Sequence, residues 1–242
     1  CDVDGDIADW QNDKPIYISD TVELYAKSDE KYLYLLAKTN NFDFAKDALY
    51  IPIDSLAEQG NSRDTIRNLK FTRPTEFLIQ INGESNSKIV VDAYYDAFYY
   101  NYAEKEKNLD KKASYRKKDN GVFNPMNLCI SNELFLPQDR KYIPFHSYET
   151  GILRHGDANP AHETYNSLTD FSVKNGNIEI RIPWQLLNIM DPSTKTAMAD
   201  FYSRKGMKVE SNFKKDESFM KFERNDGIKA QVIDGMYIGA GV

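Results

Sequence analysis

Six segments of this chain either alternate apolar with polar side chains or run as short apolar blocks: VELYA (22–26), KYLYLLAK (31–38), ALYIPID (48–54), TEFLIQIN (75–82), SKIVVDAYY (87–95) and NIEIRIPW (177–184). They are rich in β-branched and aromatic residues, with turn-forming residues between many of them, which predicts strands. NGESNS (82–87) joins two of these with hairpin chemistry, because Asn and Gly tolerate the positive φ that a chain reversal needs. SDEK (28–31) predicts a second turn. A sheet built from such strands has an apolar face to bury, and packing two antiparallel sheets together buries both. The predicted fold is therefore all-β: an antiparallel β-sandwich, jelly-roll-like, with long polar loops and minor helix, in a single domain over residues 1–242.

Three stretches depart from this pattern. AEKEKNLDKKASYRKKDN (103–120) has the charge density of a solvated helix or mobile loop, so it reads as an excursion from the sheet. Residues 123–170 lose alternation and form a long polar, aromatic and turn-rich passage; loops of this length are more often functional than short ones. The run AYYDAFYYNY (93–102), read at period two, puts Tyr94, Asp96, Phe98, Tyr100 and Tyr102 on one face and Tyr95, Ala97, Tyr99 and Asn101 on the other. An exposed row of this kind would be a polysaccharide platform; inward packing between sheets is the expected alternative. In IRIPWQLL, Ile178, Ile180 and Ile182 share one face, Glu179 and Arg181 the other, and Trp184 is expected to plug the core after Pro183 ends the strand.

Composition narrows the function classes. The 242 residues are 41% hydrophobic and 13% aromatic, enough for a sizeable core. A net charge of -6 argues against a general nucleic-acid binder, since such a surface repels phosphates despite the basic run KKASYRKK (111–118). No stretch approaches the roughly 18–20 consecutive apolar residues of a transmembrane helix. The start at Cys1 reads as a mature chain or an excised domain. A mature Cys1 would be a candidate lipid-bearing residue at the cell surface, and an arbitrary boundary is the other reading. Cys129, in the apolar run MNLCI, is expected to be buried and inert, and two cysteines are too few for a cysteine-cage zinc site.

The opening CDVDGDIADW crowds carboxylates in front of Trp10. Asp2, Asp4 and Asp6 alternate like hard oxygen ligands, but a helix-loop-helix calcium loop needs Gly at its sixth position and Glu at its twelfth, where this chain has Ile7 and Asp13. Turn-forming aspartates in front of an anchoring Trp10 are the favoured account. Asp4, Asp6 and Asp9 remain the candidate ligands of a structural calcium ion.

These pieces together resemble family 9 carbohydrate-binding modules and the related DOMON-like sandwiches. Asp4, Gly5, Asp9 and Trp10 match the family's Asp-Gly opening, Asp29, Tyr32, Leu33 and Tyr34 its "D-x-x-Y-L-Y" strand, and Glu179, Ile182, Pro183 and Trp184 its Ile-Pro-Trp-like segment. The resemblance implies a sugar-binding β-sandwich, often part of a larger secreted polypeptide and sometimes carrying structural calcium. Some DOMON-like relatives bind haem through Met and His instead.

The long passage supplies candidate chemistry for a sugar. Pyranose rings offer apolar C–H faces to aromatics and hydroxyls to planar polar groups. Tyr148 and Tyr165 are the candidate platforms, beside Glu149, Arg154, His155, Asn159 and Asn166. The same loop holds His146, His155 and His162 near Glu149, Asp157 and Glu163, a set that suits a transition metal, although no two-histidine helix motif is present. Nucleotide-binding and nucleophile-elbow motifs are also missing, while carboxylate pairs for glycoside hydrolysis leave no local motif. The expected function is a non-catalytic carbohydrate-binding module of an extracellular or cell-surface bacterial protein. The alternatives are a metal-dependent or glycan-processing enzyme using residues 146–163, and a purely structural accessory domain.

Overall fold

A computed structural model describes residues 1–202, 208–211, 222–225, 229–233 and 235–242. Ten strands build its two main sheets: β1 (Tyr17–Ile18), β2 (Val22–Ser28), β3 (Tyr32–Thr39), β4 (Leu49–Asp54), β5 (Phe77–Ile81), β6 (Lys88–Asp92), β7 (Phe123–Pro125), β8 (Phe171–Lys174), β9 (Asn177–Pro183) and β10 (Tyr237–Ile238). The first sheet has the order β1-β2-β3-β9-β8 and the second β10-β4-β5-β6-β7, with antiparallel pairing throughout. Each of the six predicted segments contributes a strand.

Alternation explains the layering. Leu33, Leu35 and Ala37 of β3 and Ile178, Ile180 and Ile182 of β9 join Leu49, Ile51 and Ile53 of β4 and Phe77, Ile79 and Ile81 of β5 in one buried cluster between the sheets. This is a β-sandwich, and its sheets do not close into a barrel. The second set of side chains on these strands is also covered. Tyr34 and Leu36 of β3 pack with Val3, Trp10, Tyr25 and Ala158, so the chain's opening lies over the first sheet. Leu78 and Val90 pack with Phe123 on the second sheet, against Tyr50, Leu69 and Phe71.

The two predicted turns form through side-chain caps. Ser87 Oγ accepts from Asn82 N and donates to Gly83 O, closing the β5–β6 connection. The Asp29 carboxylate accepts from Lys31 N, Tyr32 N and the Tyr34 hydroxyl, fixing the β2–β3 turn.

Two expectations are corrected. Strand β6 stops at Asp92, and the tyrosine run turns helical, with a 3-10 turn at Ala93–Tyr95, a helical turn at Ala97–Tyr99 and a π-helical turn at Tyr100–Lys105. The cause is local: Asp92 caps Tyr94 N and Asp96 caps Tyr99 N, offering the backbone an alternative to the ladder. Tyr94, Tyr95, Tyr99 and Tyr100 are buried, so the run packs inward as expected and is not a flat platform; only its strand conformation is corrected. Residues 123–170 are also only partly loop. Asn127–Ser131 pairs with His146–Glu149 and Leu134–Leu136 with Lys141–Ile143, which makes a two-stranded arm. Cys129 sits on this arm, half-buried and free. In the charged excursion, Ala113–Arg116 makes a short 3-10 turn, and Glu104 pairs with Arg116.

Candidate functional site

The opening is fastened by one buried carboxylate. Glu179 lies on the β9 face opposite Ile178 and Ile180, and it is fully buried because the opening covers it. Its Oε2 accepts from Gly5 N at 2.7 Å and Asp4 N at 3.1 Å, and its Oε1 accepts from Trp10 Nε1 at 2.7 Å. Burial raises its pKa above the usual Glu value against the pull of these three donors. Gly5 has a φ of +80°, and a Cβ there would lie 2.6 Å from Lys174 Cβ, so the Asp-Gly step needs glycine for both conformation and space.

The predicted metal ligands separate. Asp6 caps the 3-10 turn Ile7–Trp10 by accepting from Ala8 N, and Asp9 accepts from Asp2 N. Asp4 turns instead toward the long passage, where its ligand oxygen, one from Asp157 and a His162 ring nitrogen lie within 4.8 Å of one another. Among the described residues, these three are placed to share a cation. They also bond among themselves and their neighbours: Asn159 donates to Asp4 Oδ2 at 2.8 Å, His162 Nδ1 lies 2.9 Å from Asp157 Oδ2, and Thr164 donates to that oxygen at 2.7 Å. Desolvation works against the Asp157 carboxylate, but donors from Asn159 N, Thr164 and His162 outweigh it and hold its pKa below the usual Asp range. The arrangement ties the opening to the 157–164 loop.

The predicted sugar-binding residues fall into several settings. Tyr148 is 46% exposed on the arm and accepts a hydrogen bond from Arg154 Nη2 at 3.1 Å, so these two are brought together. Glu149, next on the strand, pairs with Lys88 at 3.4 Å. The His155 ring packs beside Phe44 and Phe171, each at a centroid distance of 5.2 Å. Tyr165 is 48% exposed, while Asn166 spends its backbone N–H on Asp157 O and its side-chain oxygen on Leu168 N. His146 lies exposed on the arm, so the three histidines have three different environments.

A different constellation emerges at the open side of the sandwich, where β1 edges the first sheet and β10 edges the second. Between them runs a groove of about 440 Å³, within the range of small-ligand sites. Tyr17 and the 56%-exposed Tyr237 are on its wall, with Phe71 and Arg73 from the strand Leu69–Thr75. Pro74 restricts Arg73 to extended backbone. The Arg73 guanidinium lies over the Tyr237 ring, 3.8 Å from its centroid, and its Nε donates to Asp54 Oδ2 at 2.9 Å. Asp54, opposite Tyr237 in the β4–β10 register, is 2% exposed. Burial raises the Asp54 pKa against the opposing pull of Arg73, and the hydrogen bond that Arg73 donates to Asp54 raises that of Arg73.

Sequence reasoning missed Tyr17, Phe71, Arg73 and Tyr237. The available signal was an aromatic at each short edge segment, together with the extended Arg-Pro step, but nothing local says that these segments meet. Scans of family models, of curated proteins and of solved structures find no match to this chain.

Proposed function

We propose that this chain is a non-catalytic carbohydrate-binding β-sandwich module of a secreted or cell-surface protein, as its resemblance to family 9 carbohydrate-binding modules implies. The observation that carries the reading is the edge groove. Tyr17 and Tyr237 supply aromatic surface from opposite sheets, and Arg73 adds hydrogen-bond donors beside them. A sugar ring needs these two kinds of contact, an apolar platform and directional polar groups. Both sit on strands of the scaffold, which holds them in place.

Affinity electrophoresis against a panel of soluble polysaccharides tests the proposal. The wild-type chain is expected to be retarded by at least one of them. Tyr237→Ala and Tyr17→Ala are each expected to weaken that binding about tenfold, as loss of roughly 1–1.5 kcal/mol of aromatic contact implies. Absence of retardation on every polysaccharide, or full binding by both variants, would remove the groove reading.

A further inference from the structure

We infer that the sugar recognised in the edge groove is acidic, carrying a carboxylate that Arg73 grips through its two Nη groups. This rests on the groove being the carbohydrate site. Asp54 and Arg73 form one ion pair, but its members are unequally accessible: the Asp54 side chain is 2% exposed and the Arg73 side chain 40%. A ligand in the groove therefore meets the cation, while the Asp54 anion is hidden behind it; the exposed Glu58 carboxylate also acts on this pair, as a weaker charge than Asp54 on the guanidinium.

The guanidinium is also oriented. Its Nε is committed to Asp54 and its central carbon lies over the Tyr237 ring, and among the described residues no acceptor bonds to Nη1 or Nη2. That leaves the terminal edge of the fork open, the edge that matches the two oxygens of a carboxylate. With both the Asp54 bond and the Tyr237 contact holding the fork, little conformational freedom is lost when a ligand carboxylate arrives. The exposed Tyr237 and Tyr17 lie alongside to receive the attached ring. A neutral sugar offers hydroxyls to this fork but no group of matching charge and planarity.

The test compares alginate and polygalacturonate with the same polymers after their carboxyl groups have been reduced to alcohols, using the wild-type chain, Arg73→Gln and Arg73→Lys. Thermal midpoints confirm that each variant is folded. The wild type is expected to bind at least one acidic polymer at least tenfold more tightly than its reduced form, with binding weakening as NaCl rises from about 50 to about 500 mM. Arg73→Gln is expected to lose that preference. Arg73→Lys, which keeps the charge and loses the planar fork, is expected to retain only part of it. Equal binding of acidic and reduced polymers by the wild type, or an unchanged acidic preference in folded Arg73→Gln, overturns the inference while leaving the sugar-binding reading in place. Failure to bind acidic, reduced and other neutral polysaccharides alike overturns both.

Discussion

Replacing Glu179 with alanine is expected to destabilise the fold by about 3–5 kcal/mol, read as a drop in the denaturant midpoint. The carboxylate is the common acceptor for Trp10 Nε1, Gly5 N and Asp4 N, and truncation leaves these donors without it beneath a covered sheet face. Each buried donor left unpaired costs roughly 1–3 kcal/mol, and relief of the carboxylate's own burial offsets part of that total. Glu179→Gln keeps one acceptor oxygen but turns an NH₂ toward donors, so it should fall between alanine and the wild type. Trp10→Ala should cost about as much as Glu179→Ala, through lost packing with Val3, Tyr25, Tyr34 and Leu36. Because the two side chains share one bond, the double variant should lose clearly less than the sum of the singles. A Glu179→Ala midpoint within experimental error of the wild type would show that the opening is not fastened there.

Glu179 also shows how far a sequence can be read. The alternation of IEIRIP placed it opposite the isoleucines, and the structure agrees. Alternation could not show that this second face is also covered, because the cover comes from the opposite end of the chain. The aspartates of the opening divide in the same way. Asp6 caps its own turn, as local turn chemistry suggests, and Asp9 reaches back only to Asp2 within the opening, whereas Asp4 Oδ2 faces partners in the 157–162 loop.

The tyrosine run packs inward as expected, but its conformation departs from a strand, for a different reason. Aromatic residues favour strands, and that preference hid two helix caps four residues apart, Asp92 and Asp96, which decide the local conformation. The groove was illegible because it is a product of topology. Tyr17, Arg73 and Tyr237 meet only because β1 and β10 end up on the same side of the sandwich.

A second buried carboxylate makes stability depend on pH in the direction opposite to ordinary acid denaturation. Glu76 is fully buried just before β5, with Oε2 accepting from Ser55 N, Ser55 Oγ and Leu56 N, and with no hydrogen-bond partner at Oε1 among the described residues. Burial, reinforced by the nearby Asp54 and opposed by the Ser55 and Leu56 donors, pushes its pKa up to about 8. An unfolded Glu titrates near ~4.3, so between these values the folded chain holds a proton that the unfolded chain has released. The resulting stabilisation is full below about pH 4 and is lost as pH rises through about 8. Asp96, raised to about 6, and Asp92, raised to about 7, act in the same direction at lower pH. The thermal midpoint of the wild type should therefore fall between pH 5 and pH 9, by an amount on the order of a few kcal/mol in unfolding free energy. Glu76→Gln mimics the protonated acid, keeping an acceptor for Ser55 and placing NH₂ where Oε1 stood. It should flatten the decline above pH 7 and leave the variant more stable than the wild type at pH 9, with the Asp92 and Asp96 contributions still visible below. If the variant instead follows the wild-type curve at every pH, Glu76 is charged in the folded chain, and the cover over the start of β5 admits enough water or counter-charge to keep it so.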